Sequence, residues 1–219
     1  MAVSSPAVTP AGLRKVLLMF AVTLAIAGAW ILISEFARPS RIGFPVHHND
    51  LDADQRAKAS RAAHLGLVRG DLWAELFFSF SGRDFGPTAN EALLAAQRAL
   101  AYAPYRTEVW LLLADMAEKY QLPNPKSGAA LTMSYYTAPY NWTLAPLRLS
   151  VAARGDALTD PELQQFVERD LRTILAGKPE LRNAVRAAYV TASAPSKHFF
   201  ESVVQQADPR FMTSLKQMN

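Results

Sequence analysis

The side chains able to do chemistry are few and widely spaced. The chain has four histidines and no cysteine. His47 and His48 stand beside Asn49, Asp50, Asp52 and Asp54, a nitrogen and oxygen donor set that would suit a divalent ion if the segment folded back on itself. The same residues read equally as the polar end of a spacer, with Asp50 or Asp52 capping the helix that follows. His198 and Glu201 are three apart on one helical face, a spacing that could present an acid–base pair and that also describes a solvated surface. His64 reads as a helix-surface residue. No histidine has a glutamate three residues before it, so the Glu-x-x-His pattern of di-iron bundles is absent. There is no Gly-x-Ser-x-Gly elbow, no His-Glu-x-x-His and no thiol nucleophile. The expectation is a non-enzyme with no cofactor and no metal site.

Aromatic residues form the denser constellation. Tyr102, Tyr105, Trp110, Tyr135, Tyr136, Tyr140 and Trp142 fall around two short segments, Ala103-Pro104-Tyr105 and Ala138-Pro139-Tyr140. Tyrosine and tryptophan join an apolar body to a polar tip, which suits packing between helices, recognition of a protein partner, or stacking on sugar rings. Tyr105, Tyr140, Trp142 and Tyr136 are the candidate binding residues. Tyr105 and Tyr140 are the two expected at the surface, because each follows a helix-ending proline.

These residues have to be positioned by helices. Period-two alternation is absent and no Asn-Gly or Asp-Gly pair joins two apolar runs, so strand signals are scarce. Apolar spacing of three and four recurs instead. It runs over 51–76, with a break expected near Gly70-Asp71, and then from Pro87 to Ala103 with Ala92, Ala95, Ala96 and Ala99. Another helix starts near Val109 and is ended by Pro123 and Pro125. Asp160-Pro161, between Thr159 and Glu162, opens a helix through either an Asp cap or a Thr-x-x-Glu box. Its stripe is Leu163, Phe166, Val167, Leu171, Ile174 and Leu175, and Gly177 with Pro179 ends it. Helices around Val185 and Phe200 follow, and Asp208-Pro209 opens a last turn.

Ahead of all this lies a charge-free stretch, Val16 to Ser34, bounded by Arg14-Lys15 and Glu35. Nineteen residues at 1.5 Å each span about 28 Å, close to the hydrocarbon thickness of a bilayer. Ala25-Ile26-Ala27 could supply a signal-peptide cleavage site, but the apolar run continues through Trp30-Ile31-Leu32-Ile33, which favours an uncleaved anchor. The expected organisation is a cytoplasmic tail (1–15), a transmembrane helix (16–36), a linker (37–49) and a helical domain (50–219). Arg14 and Lys15 touch the span directly, so the short tail is placed inside and the large domain outside. With an alanine-rich, cysteine-free chain, the expected location is a bacterial inner membrane, single-pass, with a periplasmic domain.

The net charge of +4 invites a nucleic-acid reading. Arg14 and Lys15 account for half of it, which leaves 21 basic and 19 acidic residues in 35–219. No basic block interrupts that region, so nucleic acid is not an expected partner.

The two Ala-Pro-Tyr segments are 35 residues apart, and Pro179 and Pro209 continue the series at 40 and 30. Such periods belong to stacked helical hairpins. Ala92, Ala96, Ala99 and Pro104, followed by Trp110-Leu111-Leu112-Leu113-Ala114, resemble the second helix of a tetratricopeptide repeat and the start of the next. Ala117 and Ala96 depart from that pattern, standing where a Tyr and a Phe are usual. The resemblance covers about a third of the outer domain. It implies an all-α, irregular helical-hairpin solenoid or bundle with a concave protein-binding surface. The functional expectation is a membrane-anchored scaffold for an inner-membrane or envelope protein complex, held in the lipid bilayer through residues 16–36. The alternative is an accessory factor for envelope polysaccharide or lipid assembly that meets glycan through its aromatic surface. A hydrolase with an unrecognised site stands third.

Overall fold

The computed structural model describes residues 10–38, 44, 53–80 and 88–217. Among these the chain is all-α, with eleven α-helices, three short 3-10 turns and no strand. Helix α1 (Pro10–Phe36) contains one apolar segment, Gly12–Phe36, of mean hydropathy 2.6, long enough to cross a membrane. The domain then runs through α2 (Ala53–Leu65), α3 (Gly70–Phe78), α4 (Ala89–Tyr102), α5 (Thr107–Tyr120), α6 (Ser127–Thr137), α7 (Ala145–Arg154), α8 (Pro161–Gly177), α9 (Arg182–Val190), α10 (Ala194–Ala207) and α11 (Pro209–Lys216).

Hairpins α3/α4 and α5/α6 pack most extensively. Beyond them the chain forms two lines of helices. In one, α3, α5, α7 and α9 meet in succession; in the other, α6, α8 and α10 do, and α11 closes the end against α10. Along these two lines each helix touches the next but one, an arrangement compatible with a helical repeat fold. Small residues permit the close approach. Ala92, Ala95, Ala96 and Ala99 are buried where α4 meets α3. A Cβ on Gly70 would lie 2.9 Å from the Cβ of Ala103 and 3.0 Å from the carbonyl of Ala99, so the first turn of α3 needs a residue without one. This explains why the break expected at Gly70 falls earlier, at Gly66–Arg69: Gly70 opens a helix against a neighbour and does not end one.

Helix ends follow local chemistry. Asp160 accepts from the backbone N–H of Glu162, with Pro161 in the first turn, so the Asp cap operates there. Asp208 does the same for Phe211, and Ser193 caps α10. Helix α5 stops before Pro123. Gln121 turns left-handed at φ 49°, and the N–H of Leu122 reaches back to the carbonyl of Ala117 at 3.0 Å, a Schellman end without glycine.

Helix α1 is clamped to the domain. Arg38 grips Glu75 of α3 with two guanidinium nitrogens and also bonds Glu35 at 2.9 Å. Arg69 takes both oxygens of Asp71 and bonds Ser34 at 3.1 Å and Glu35 at 2.8 Å. Lower on α1, the Trp30 indole donates to the carbonyl of Leu65 at 2.6 Å. Most of segment 37–49 and the His47–Asp52 group lie outside the described residues. Within that segment, Ala37 and Phe44 pack against the core, with Phe44 5.6 Å from the Phe78 ring.

Candidate interaction surface at the Ala-Pro-Tyr turns

A residue before proline is pushed out of the helical region. Ala103 and Ala138 adopt φ/ψ of −142°/69° and −154°/76°, and Lys178 and Asp208, before the other two prolines, adopt −133°/68° and −151°/86°. The first two turns match further. The N–H of Arg106 bonds the carbonyl of Ala103 at 3.1 Å, and Asn141 bonds Ala138 at 3.3 Å. Arg106 and Asn141 have φ/ψ of −74°/92° and −81°/91°. The sequence repeat is thus a backbone repeat, and it delivers two tyrosines to equivalent places. Tyr105 and Tyr140 are each 72% exposed.

The carbonyl just before each tyrosine is tied down by a side chain. Pro104 O accepts from the Trp110 indole at 2.7 Å, and Pro139 O accepts from Arg169 at 3.1 Å. Trp110 is accordingly half-buried, folded back over its own turn, and not sealed between helices as strict repeat equivalence would require. Val109, Leu111, Leu112, Leu113 and Ala114 fill the core there.

Three of the four candidate residues converge on the stack's α8 side. Arg169 lies 5.4 Å from the Tyr140 ring and 5.5 Å from Phe166. Tyr136 stands edge-on to Phe166 at 5.6 Å and donates to Glu162, which raises its hydroxyl pKa. Trp142 is half-buried beneath Lys178, whose amine sits 4.9 Å from the ring. Tyr105 stands apart at the α4–α5 turn.

Beneath this surface lies a charged support that the sequence reading passed over. Arg148 is 1% exposed, its guanidinium 4.5 Å from the centre of the buried Tyr135 ring. It donates to the carbonyls of Ser134 and Ala138, the latter at 3.0 Å, and so holds the Tyr140 turn from below. Asp170, equally buried, accepts from Arg169 at 3.1 Å. Burial pushes the Asp170 carboxyl above its usual value, against the pull of Arg169, and pushes the Tyr135 hydroxyl well up and Arg148 down. The available signal was a charge at a core position: Asp170 falls on the Leu163, Val167, Leu171 and Ile174 stripe, and Arg148 between Leu144 and Val151.

Among the described residues, the other chemistry-bearing side chains lie apart from these. Glu201 accepts from the buried Tyr189 hydroxyl at 2.7 Å. His198 lines a separate open cleft of about 560 Å³ with Asp156, Thr159, Ser193 and Ser202. Its hydroxyls are engaged locally, Ser193 with Gly155 O at 3.2 Å and Thr159 with Asp156 O at 2.7 Å. Among the described residues no three His, Asp or Glu side chains are grouped to hold a metal ion. No protein-family model, curated protein or solved structure matches the chain.

Proposed function

We propose that this chain is a single-pass scaffold of a bacterial inner membrane, a periplasmic stack of tetratricopeptide-like hairpins that binds another envelope protein through its Ala-Pro-Tyr turns. The observation that carries this reading is the duplicated turn, which sets Tyr105 and Tyr140 in matching, rigid and solvent-facing positions. Interface energy concentrates in a few aromatic and arginine anchors, and such anchors cost little to order when the backbone beneath them is fixed. Arg169 and Lys178 lie over the Tyr140 and Trp142 rings. Those faces suit a partner with carboxylates and apolar side chains better than a sugar ring, which needs a bare face, so the glycan alternative is the weaker.

The test uses the full chain in its membrane, with a photoreactive phenylalanine at position 105, 140 or, as a control, at exposed Gln205. The expected result is one shared protein adduct at 105 and 140 that is missing at 205. Changing both tyrosines to alanine should abolish capture of that protein while helicity and melting stay unchanged. Adducts to polysaccharide, or capture that survives the double change, would count against the reading.

A further inference from the structure

The α2–α3 turn exposes apolar side chains beside α1. Leu65, Leu67 and Val68 are 41%, 55% and 55% exposed, consecutive but for Gly66. The turn sits against α1 at Trp30, whose indole nitrogen bonds Leu65 O. Trp30 precedes Glu35 by five residues, about 7.5 Å along the helix axis. Helical side chains lean towards the N-terminus, which carries the indole still farther from the Glu35 level.

Three carbonyls of this turn are satisfied from within the protein. Leu65 O accepts from the Trp30 indole, Gly66 O from the N–H of Arg69 at 2.7 Å, and Leu67 O from the Trp73 indole at 3.1 Å. Three successive carbonyls thus need no water, and two are served by tryptophan, the residue that favours the membrane interface. Charge begins one step away, where Arg38 and Arg69 pair with Glu35, Asp71 and Glu75. His64, the nearest titratable group before the turn, has its Nδ1 2.8 Å from Ser60 O and stands edge-on to Trp73.

We infer that the Leu65–Val68 turn is a second membrane contact, a short wedge inserted beside α1 into the headgroup and acyl boundary of the leaflet facing the domain. A depth near 7.5 Å matches the roughly 5–10 Å at which interfacial apolar segments settle. The ion cluster above then marks the water boundary. The wedge rests on the reading of α1 as a membrane anchor.

The chain contains no cysteine, so single cysteines can be placed freely. The full-length protein, reconstituted in phosphatidylcholine and phosphatidylglycerol vesicles, is labelled with an environment-sensitive fluorophore at Leu67→Cys or Val68→Cys. Leu24→Cys serves as the mid-span control and Gln205→Cys as the aqueous one. The expected result is several-fold stronger quenching of 67 and 68 by lipids with a nitroxide near the headgroup than by aqueous iodide, with the reverse at 205. Position 24 should respond best to a nitroxide deep in the chain. Iodide quenching at 67 and 68 with lipid quenching at 24 overturns the wedge and leaves the anchor standing. Iodide quenching at 24 overturns both.

Discussion

Arg148 brings a positive charge into the middle of the stack, and its value there lies in what it holds. Two of its partners, Ser134 O and Ala138 O, are carbonyls at the end of α6 that a helix terminus leaves without an intrahelical donor. Arg148→Ala should therefore lower stability by about 1–3 kcal/mol in urea denaturation, because it withdraws hydrogen bonds from buried carbonyls and strips the guanidinium from the buried Tyr135 ring. Asp170 gives a pH signature. Its folded-state pKa lies above its unfolded one because burial disfavours the charge. Its stabilisation is then complete below the unfolded value and is lost as pH rises through the folded value. Asp170→Asn should accordingly gain on the parent protein as pH climbs across that interval, with the difference flat on either side; a difference that falls with rising pH would contradict the assignment. The exposed tyrosines were legible in the sequence because a proline before each one ends its helix. The buried charges were not, since nothing in their spacing distinguishes a paired interior arginine from an interrupted apolar stripe.

At the level of elements, the helices with strong periodicity or an obvious cap were readable in the sequence: α4, α5, α8 and α10 all lie where their alanine, leucine and phenylalanine stripes place them. Helices α6 and α7 showed no such stripe, although Pro139 marked the end of the first and the start of a following helix. Helix α6 packs against α5, α7 and α8 and carries small or apolar residues on its exposed face too, at Ala129 and Tyr136, which erases the period that reveals a surface helix. Helix α7 has ten residues with Pro146 near its start and Arg148 on its inner face, so its pattern is both short and broken. The break before α3 was misplaced because glycine can end a helix or admit a neighbour, and only the contact with α4 shows which. That contact yields a direct expectation. Gly70→Ala places a methyl against Ala103 and the backbone of Ala99, neither of which can rotate away, and should cost about 1–3 kcal/mol on thermal or urea melting. An unchanged midpoint would mean that α3 and α4 can slide apart.

For the whole molecule, the proposed arrangement predicts a fixed sidedness. Alkaline phosphatase fused after Asn219 should be active, and the full chain should remain with the membrane through a carbonate wash. A soluble product beginning near Gly28 would instead identify α1 as a cleaved leader. If the anchor stays, the clamp formed by Arg38, Arg69 and Trp30 has a mechanical consequence. In that arrangement the membrane helix and the stack are joined by five charged side chains and an indole, which together resist rotation at the joint. A helix whose apolar length exceeds the local bilayer leans over to compensate. Here such a lean turns the joined stack through the same angle, like an arm on a tilting mast, and the tyrosine-bearing turns sweep along with it. Bilayer thickness thereby becomes a setting for where the recognition surface points.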